Sequence, residues 1–241
     1  THDIATLGLW GPKAVNALSN FIDPNKIDIK NFPFVTSKNL TLNLAGGKKV
    51  DVWAARISYV GESGWEIYFN NDKDDGLALY DSLLEVGVVP VGIETYANSR
   101  RLEKSFRLQG ADLETEYTAI EAAIQRPLVK EADFHGKAAH LSHRENEPCA
   151  ILCTMTLDDL NVSGVPRYPV GISPIIDPAT GEVPIDSKGR RSYTTGMSYC
   201  PSIKKFVVMG YLPNNIAEVG KSLSMEYFNE NGDGIYPMTV Q

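Results

Sequence analysis

"ISYVGESGWEIYF", residues 57–69, places Trp65, Ile67 and Phe69 at every second position behind a short turn rich in Gly and Ser. Alternation of this kind marks a strand with one buried face. The stretch therefore predicts a hairpin whose second strand turns Trp65, Ile67 and Phe69 toward a core and leaves Glu66 on the opposite face. Glutamate is a poor strand residue, and its desolvation between Trp65 and Ile67 is costly, which singles it out. If Val60 and Trp65 bracket a four-residue loop, residues 61–64, Tyr59 stands across from Glu66 with Cβ atoms about 5 Å apart. A carboxylate so placed can accept two parallel N–H bonds from a planar amidine-like edge, with the tyrosine as a wall. Arginine, guanine and pterin rings carry such an edge. The alternative is a solvated sheet face or an internal arginine partner.

Outward from the hairpin, residues 4–10, 35–44 and 50–60 read as strands, and "GPKAVNALSNF" (11–21) as a helix with Pro12 in its first turn. "DKDDGLALYDSLLEVG" (72–87) places Leu77, Tyr80, Leu83 and Leu84 on one helical face, with Gly87 able to end it. A further helix is expected over 92–106. Strands alternating with helices in this way indicate an α+β domain. Beyond residue 148 the texture changes. Short β-rich runs, "CAILCTMTL", "SYTTGMSY", "FVVMGYL", "SLSMEYF" and "IYPMTVQ", recur among Gly and Pro and predict a small antiparallel sheet or barrel. Residues 161–190 read as an excursion from it. The expected domains are 1–147 and 148–241.

The 241 residues, 43% apolar and 22% charged, suffice for a sizeable core, and the net charge of −7 argues against a nucleic-acid partner. No apolar run approaches the roughly 18 residues of a membrane span. Cys149, Cys153 and Cys200 are an odd, sparse set that points to free thiols in a reducing compartment, a cytoplasm or, in a eukaryote, a mitochondrial matrix.

Three stretches in order, "YVGESGWEIY" (59–68), "RLEKSFRLQGADLETEYTAIEA" (101–122) and "TTGMSYCPSIKKFVVMGYLP" (194–213), resemble the aminomethyltransferase family, which comprises the glycine-cleavage T-protein and the folate domains of dimethylglycine and sarcosine dehydrogenases and oxidases. "LGLWGPKAVNAL" and "EYFNENGDGIYPMTV" extend the likeness over nearly the whole chain. The resemblance implies the C-terminal portion of a tetrahydrofolate-binding domain followed by a small antiparallel β-barrel. It also implies one-carbon transfer from a small-molecule amine or a lipoyl-carrier-bound substrate. Tyr59 and Glu66 match the family's pterin-contacting pair. The family's N-terminal segment, with the aspartate assigned to the chemistry, has no counterpart here, so a fragment is expected and the catalytic residue is unknown.

Where T-proteins carry an arginine for the folate tail, this chain has "YANSRRLEK", with Tyr96 or Ala97 near that position. Arg100, sharing a helical face with Lys104 and Arg107, is the expected replacement; an exposed basic stripe is the other reading. Lys204 and Lys205 of "PSIKK" are tail candidates or simply the start of a strand. His140, His143, Cys149 and Cys153 have loose spacing for zinc, and the thiols read as buried on one side of a strand. "GADLETE" reads as a solvated acidic face. No metal site is expected. Two alternatives accompany the transferase reading: the folate domain of an amine-oxidising flavoprotein or demethylase, with a flavin domain or carrier protein as partner, and a non-catalytic folate-binding or scaffold protein.

Overall fold

The structure, a computed structural model, describes residues 3–71, 74–158, 172–227 and 234–241. Packing divides the chain into two compact units, Thr1–Tyr96 and Ala97–Gln241.

The first unit is built on an antiparallel sheet of β1 (Ile4–Trp10), β2 (Ser37–Asn43), β3 (Lys49–Ala55) and β4 (Gly64–Asn70), in the order β1-β4-β3-β2. As the alternation requires, Trp65, Ile67 and Phe69 are buried, together with Leu9, Leu40, Leu42, Val50 and Val52, against Leu18 of helix α1 (Ala14–Leu18) and Leu79 and Leu83 of helix α2 (Asp75–Glu85). The opposite face carries Thr6, Trp53, Glu66 and Tyr68.

Several local expectations change. Helix α1 begins after Pro12 and is short. In α2 the buried residues are Leu79, Ser82 and Leu83, whereas Leu77, Tyr80 and Leu84 are exposed. Only one side of this helix meets the sheet, and it is centred on Leu79. Gly87, at φ +85°, does end the helix: its N–H donates to Leu84 O and that of Val88 to Leu83 O, the paired bonds of a Schellman motif.

The strand expected to reach residue 60 stops at Ala55. The next residue, Arg56, is buried, and its Nη1 donates to Ile27 O (3.0 Å) and Phe32 O (2.7 Å). Its guanidinium lies 4.9 Å from the Trp65 ring centroid. A buried guanidinium must find acceptors, and these carbonyls supply them. The Arg56 backbone still bonds the segment before β2, its N–H donating to Thr36 O (2.9 Å) and its carbonyl accepting from the Val35 N–H (3.0 Å). The Ile57 N–H turns back to Ala55 O (3.0 Å), and the pairing with β4 ends there. Residues 56–63 consequently form the connection to β4, and Glu66 pairs with Ala55, not with Tyr59.

In the second unit, β5 (Ala150–Leu157), β6 (Ile175–Ile176), β7 (Thr194–Cys200), β8 (Lys205–Pro213), β9 (Ser222–Glu226) and β10 (Ile235–Val240) form one antiparallel sheet, in the order β6-β9-β10-β5-β8-β7. An isolated bridge pairs Pro174 with Tyr193, just ahead of β6 and β7. Strand β8 is buried on both faces: Phe206, Val208 and Leu212 join one apolar cluster, and Val207, Met209 and Tyr211 join the other. Leu102 and Ala122 belong to that second cluster. This is why packing groups residues from 97 onward with the sheet, a different cut from the 147/148 boundary read in the sequence. Part of the 161–190 excursion, and part of the closing stretch, lies outside the described residues.

The helix expected over 92–106 is a π-helical turn, Thr95–Arg100, followed by the short α3 (Arg101–Glu103); α4 (Lys137–Glu145) comes later. Because α3 stops at Glu103, Arg100, Lys104 and Arg107 do not share a helical face.

Nor is "GADLETE" uniformly solvated. Asp112 is fully buried and accepts from Arg101 Nη1, Thr195 Oγ1 and the Leu108 N–H (2.8 Å). Downstream, buried Glu121 is paired with Arg190, which also holds Asp186 at 2.7 Å. Burial by itself raises the Glu121 pKa, but hydrogen bonds from Arg190 and the Thr118 N–H, with the Arg190 charge, outweigh it and hold the carboxyl at about 2. The group contributes stability above its ordinary value of 4.5 that is lost as pH falls toward 2. Glu121→Gln is therefore expected to be less stable than wild type at pH 7 and to lose less stability between pH 4.5 and 2, as read from urea unfolding at each pH.

Candidate functional site

Glu66 sits on the open face of the first unit's sheet, with Gly8 of β1 on one side and Ala55 of β3 on the other. Both neighbours are small, and the space over Gly8 is taken by the Trp10 ring. Trp10 forms a wall beside the carboxylate. Its six-membered ring folds back over Gly8 so closely that a Cβ on Gly8 would fall 2.0 Å from ring carbons. The indole is anchored by Nε1 donating to Ile57 O (3.0 Å) and stacks on Tyr96, with centroids 5.3 Å apart and planes at 27°.

Tyr96 connects the remaining parts. Burial raises its phenol pKa, and the charge of Glu66 raises it further, which places Tyr96 within the field of the carboxylate. The Tyr59 ring lies 5.4 Å from that of Tyr96. Tyr59 arrives from the 56–63 connection and meets Tyr96, not Glu66 directly. The expected direct pairing across strands does not occur, because β3 has already ended.

On the other flank the Tyr68 hydroxyl donates to Glu66 Oε2. This hydrogen bond, and then burial, push the phenol up to about 12, so it remains a protonated donor. The Tyr68 ring packs on its cross-strand partner Trp53 at 4.9 Å. Together with Thr6, Thr41 and Asp51 these two rings line a groove of about 980 Å³ along the open sheet face. The assembled site is an ionisable carboxylate in a frame of aromatic rings, suited to a flat heterocycle with adjacent N–H donors. Trp10, Tyr68 and Tyr96 were not assigned this role from sequence. The signal was present in the alternation, since Tyr68 shares the face of Glu66, and Trp10 shares that of Gly8.

The family model of the GCVT N-terminal domain matches residues 1–131. The chain belongs to that family. Human mitochondrial dimethylglycine dehydrogenase is 30% identical along 100% of the chain, which spans 25% of that protein. The aminomethyltransferase of Bacillus subtilis (strain 168) is 27% identical over 94% of the chain and 57% of its own length. The crystal structure of glycine cleavage system aminomethyltransferase T from Bartonella henselae shares the fold, with a TM-score of 0.60 at 20% identity over 100% of this chain and 83% of that one. The family resemblance read from the three stretches is borne out. This GCVT-family chain spans about a quarter of the dimethylglycine dehydrogenase and little more than half of the aminomethyltransferase.

The other residues named from sequence are placed as follows within the second unit. Arg100 is half-buried and bonds Glu103 (3.1 Å) and Ser202 (2.8 Å). Arg107 donates to Ala122 O and Ser105 O, Lys104 is exposed, and of the two exposed lysines Lys204 precedes β8 and Lys205 begins it. Cys153 and Cys200 are buried free thiols, and burial pushes them up to about 11 and about 12; Cys149 is partly exposed just before β5. His140 and His143 lie on α4, where no residue is fully buried. Among the described residues no helix is long and apolar enough to cross a membrane.

Proposed function

We propose that this chain is the tetrahydrofolate-binding part of a one-carbon transferase of the aminomethyltransferase type. The observation that carries the reading is the Glu66 carboxylate, set between Gly8 and Ala55 and framed by Trp10, Tyr59, Tyr68 and Tyr96. The amino and ring N–H edge of a pterin matches a carboxylate, and its flat ring matches aromatic walls. Tyr59 and Glu66 are the assigned pterin contacts. Arg100, which is partly exposed, is assigned to the folate tail, where a tail carboxylate would compete with Glu103 for its guanidinium.

Tetrahydrofolate, when bound, would supply the nitrogens that accept the one-carbon group from the amine. This chain would bind and orient the folate and exclude water. The region 1–147 is read as the folate-binding domain and 148–241 as a barrel domain. The donor is a small amine or a substrate on a lipoyl carrier. The whole-chain match to dimethylglycine dehydrogenase favours a second reading, the folate domain of an amine-oxidising flavoprotein with a flavin domain as partner.

Calorimetric titration with tetrahydrofolate tests the reading. Saturable binding is expected, weakened about tenfold, or about 1.4 kcal/mol, by Glu66→Ala. A folded chain that binds nothing, or binds regardless of Glu66, would overturn it. Binding without turnover by the full-length protein would favour the non-catalytic folate-binding or scaffold alternative.

A further inference from the structure

The proposed pterin contact does not hold itself in place. Glu66 is a long, flexible side chain on an open sheet face, and its neighbours across the ladder, Gly8 and Ala55, bring no side-chain donor to it. The hydrogen bond it receives comes from Tyr68, two residues further along the same strand and on the same face. Tyr68 is itself braced, since its ring packs against Trp53 at 4.9 Å on β3. Trp53 in turn faces Asn39 of β2, and on its other side Tyr68 faces Thr6 of β1, so the phenol stands in a row that crosses the whole sheet.

We propose that Tyr68 is a positioning residue: its hydroxyl, held by the Trp53 contact, pins Glu66 Oε2 and so orients the carboxylate toward the N–H edge of a planar heterocycle. The bond is made to Oε2, so Oε1 is the oxygen the proposal assigns to the ligand. A carboxylate restricted in advance loses less side-chain freedom on binding, which is how such a residue raises affinity without touching the ligand. The inference rests on the folate reading of the same site, and its test separates the two.

The test is a double-mutant cycle on the full chain, read by tetrahydrofolate titration, with Tyr68→Phe introduced into wild type and into Glu66→Ala, which leaves no side-chain acceptor at 66. The phenylalanine ring preserves the Trp53 packing, so only the donor is lost. The expected loss of affinity is about fivefold to tenfold in the wild-type background and less than about twofold in the Glu66→Ala background, the signature of coupled residues. Equal losses in both backgrounds would mean that Tyr68 acts merely through the sheet, and would overturn the proposal. A second measurement needs no ligand. With ¹³C-labelled tyrosine, the Tyr68 Cζ resonance is expected to shift in Glu66→Gln; an unchanged resonance would show that the hydrogen bond does not exist. If wild type fails to bind tetrahydrofolate but the resonance shifts, the folate reading fails while the restraint on Glu66 stands.

Discussion

Asp112→Ala is expected to lower the unfolding free energy by about 3–5 kcal/mol, the range for breaking a fully buried ion pair by removing one partner. Both Arg101 and Asp112 are essentially inaccessible, at 1% and 0% exposure. Without the carboxylate the Arg101 guanidinium remains in the interior with its bonds to Ala97 O and Phe106 O but no counter-charge. The Leu108 N–H and the Thr195 hydroxyl lose their acceptor at the same time. Gly196 prevents an easy rearrangement, because its backbone lies so near Arg101 that a Cβ there would be 2.7 Å from Nη2. Urea unfolding of the two chains measures the difference. Replacing both charges, with Arg101→Met and Asp112→Leu, should recover part of the loss by removing the unpaired charge. Full recovery is not expected, since Leu108 and Thr195 stay unsatisfied. A cost below about 1 kcal/mol for Asp112→Ala, the value of an exposed pair, would show that the pair is not buried in solution.

Gly8→Val should damage the candidate site from a position that makes no polar contact in it. Even the first carbon added at Gly8 would fall 2.0 Å from the Trp10 ring, well inside contact distance. The indole must leave, and with it go the bond to Ile57 O and the stack on Tyr96. Overpacking of this kind costs typically about 1–3 kcal/mol. Under the folate reading, tetrahydrofolate affinity should fall at least tenfold, about 1.4 kcal/mol, because one wall and the placement of Tyr96 are lost together. Trp10→Ala with Gly8 retained is the companion variant: it removes the wall without the clash, so it should share the loss of affinity and show little of the loss in stability due to overpacking. Tryptophan fluorescence and calorimetry on the two chains separate these effects. Unchanged affinity in both variants would remove Trp10 from the site.

Features encoded within a few residues were legible in the sequence. The buried set Trp65, Ile67 and Phe69 follows from a period of two, and the five runs beyond residue 148 became strands β5, β7, β8, β9 and β10. Gly87 ended its helix because the left-handed conformation there favours a residue without a Cβ. The multi-segment likeness identified the family for the same reason: motif and spacing are properties of the chain itself.

What failed involved partners distant along the chain. The hairpin register differs from the one read in the sequence because the chain turns away from β4 after Ala55, where the Ile57 N–H donates back to Ala55 O, and Arg56 is buried there against carbonyls 24 and 29 residues earlier. "GADLETE" reads as solvated because nothing in it shows that its buried member, Asp112, is paired with Arg101 and accepts from the Thr195 hydroxyl, 83 residues away. Composition cannot reveal such a pairing, since a carboxylate next to other carboxylates reads as surface until its cation is located.

The sequence by itself determined the α+β class, the open-faced strand that presents Glu66, and the family, because each depends on local periodicity or on motifs in order. Only the tertiary structure decided what surrounds Glu66. Gly8 and Trp10 come from β1, Tyr59 from the connection after Arg56, and Tyr96 from the turn that follows α2. Strand pairing brings these residues to one carboxylate, and the pairing of β3 with β4 stops where the Ile57 N–H turns back to Ala55 O, which no local pattern records.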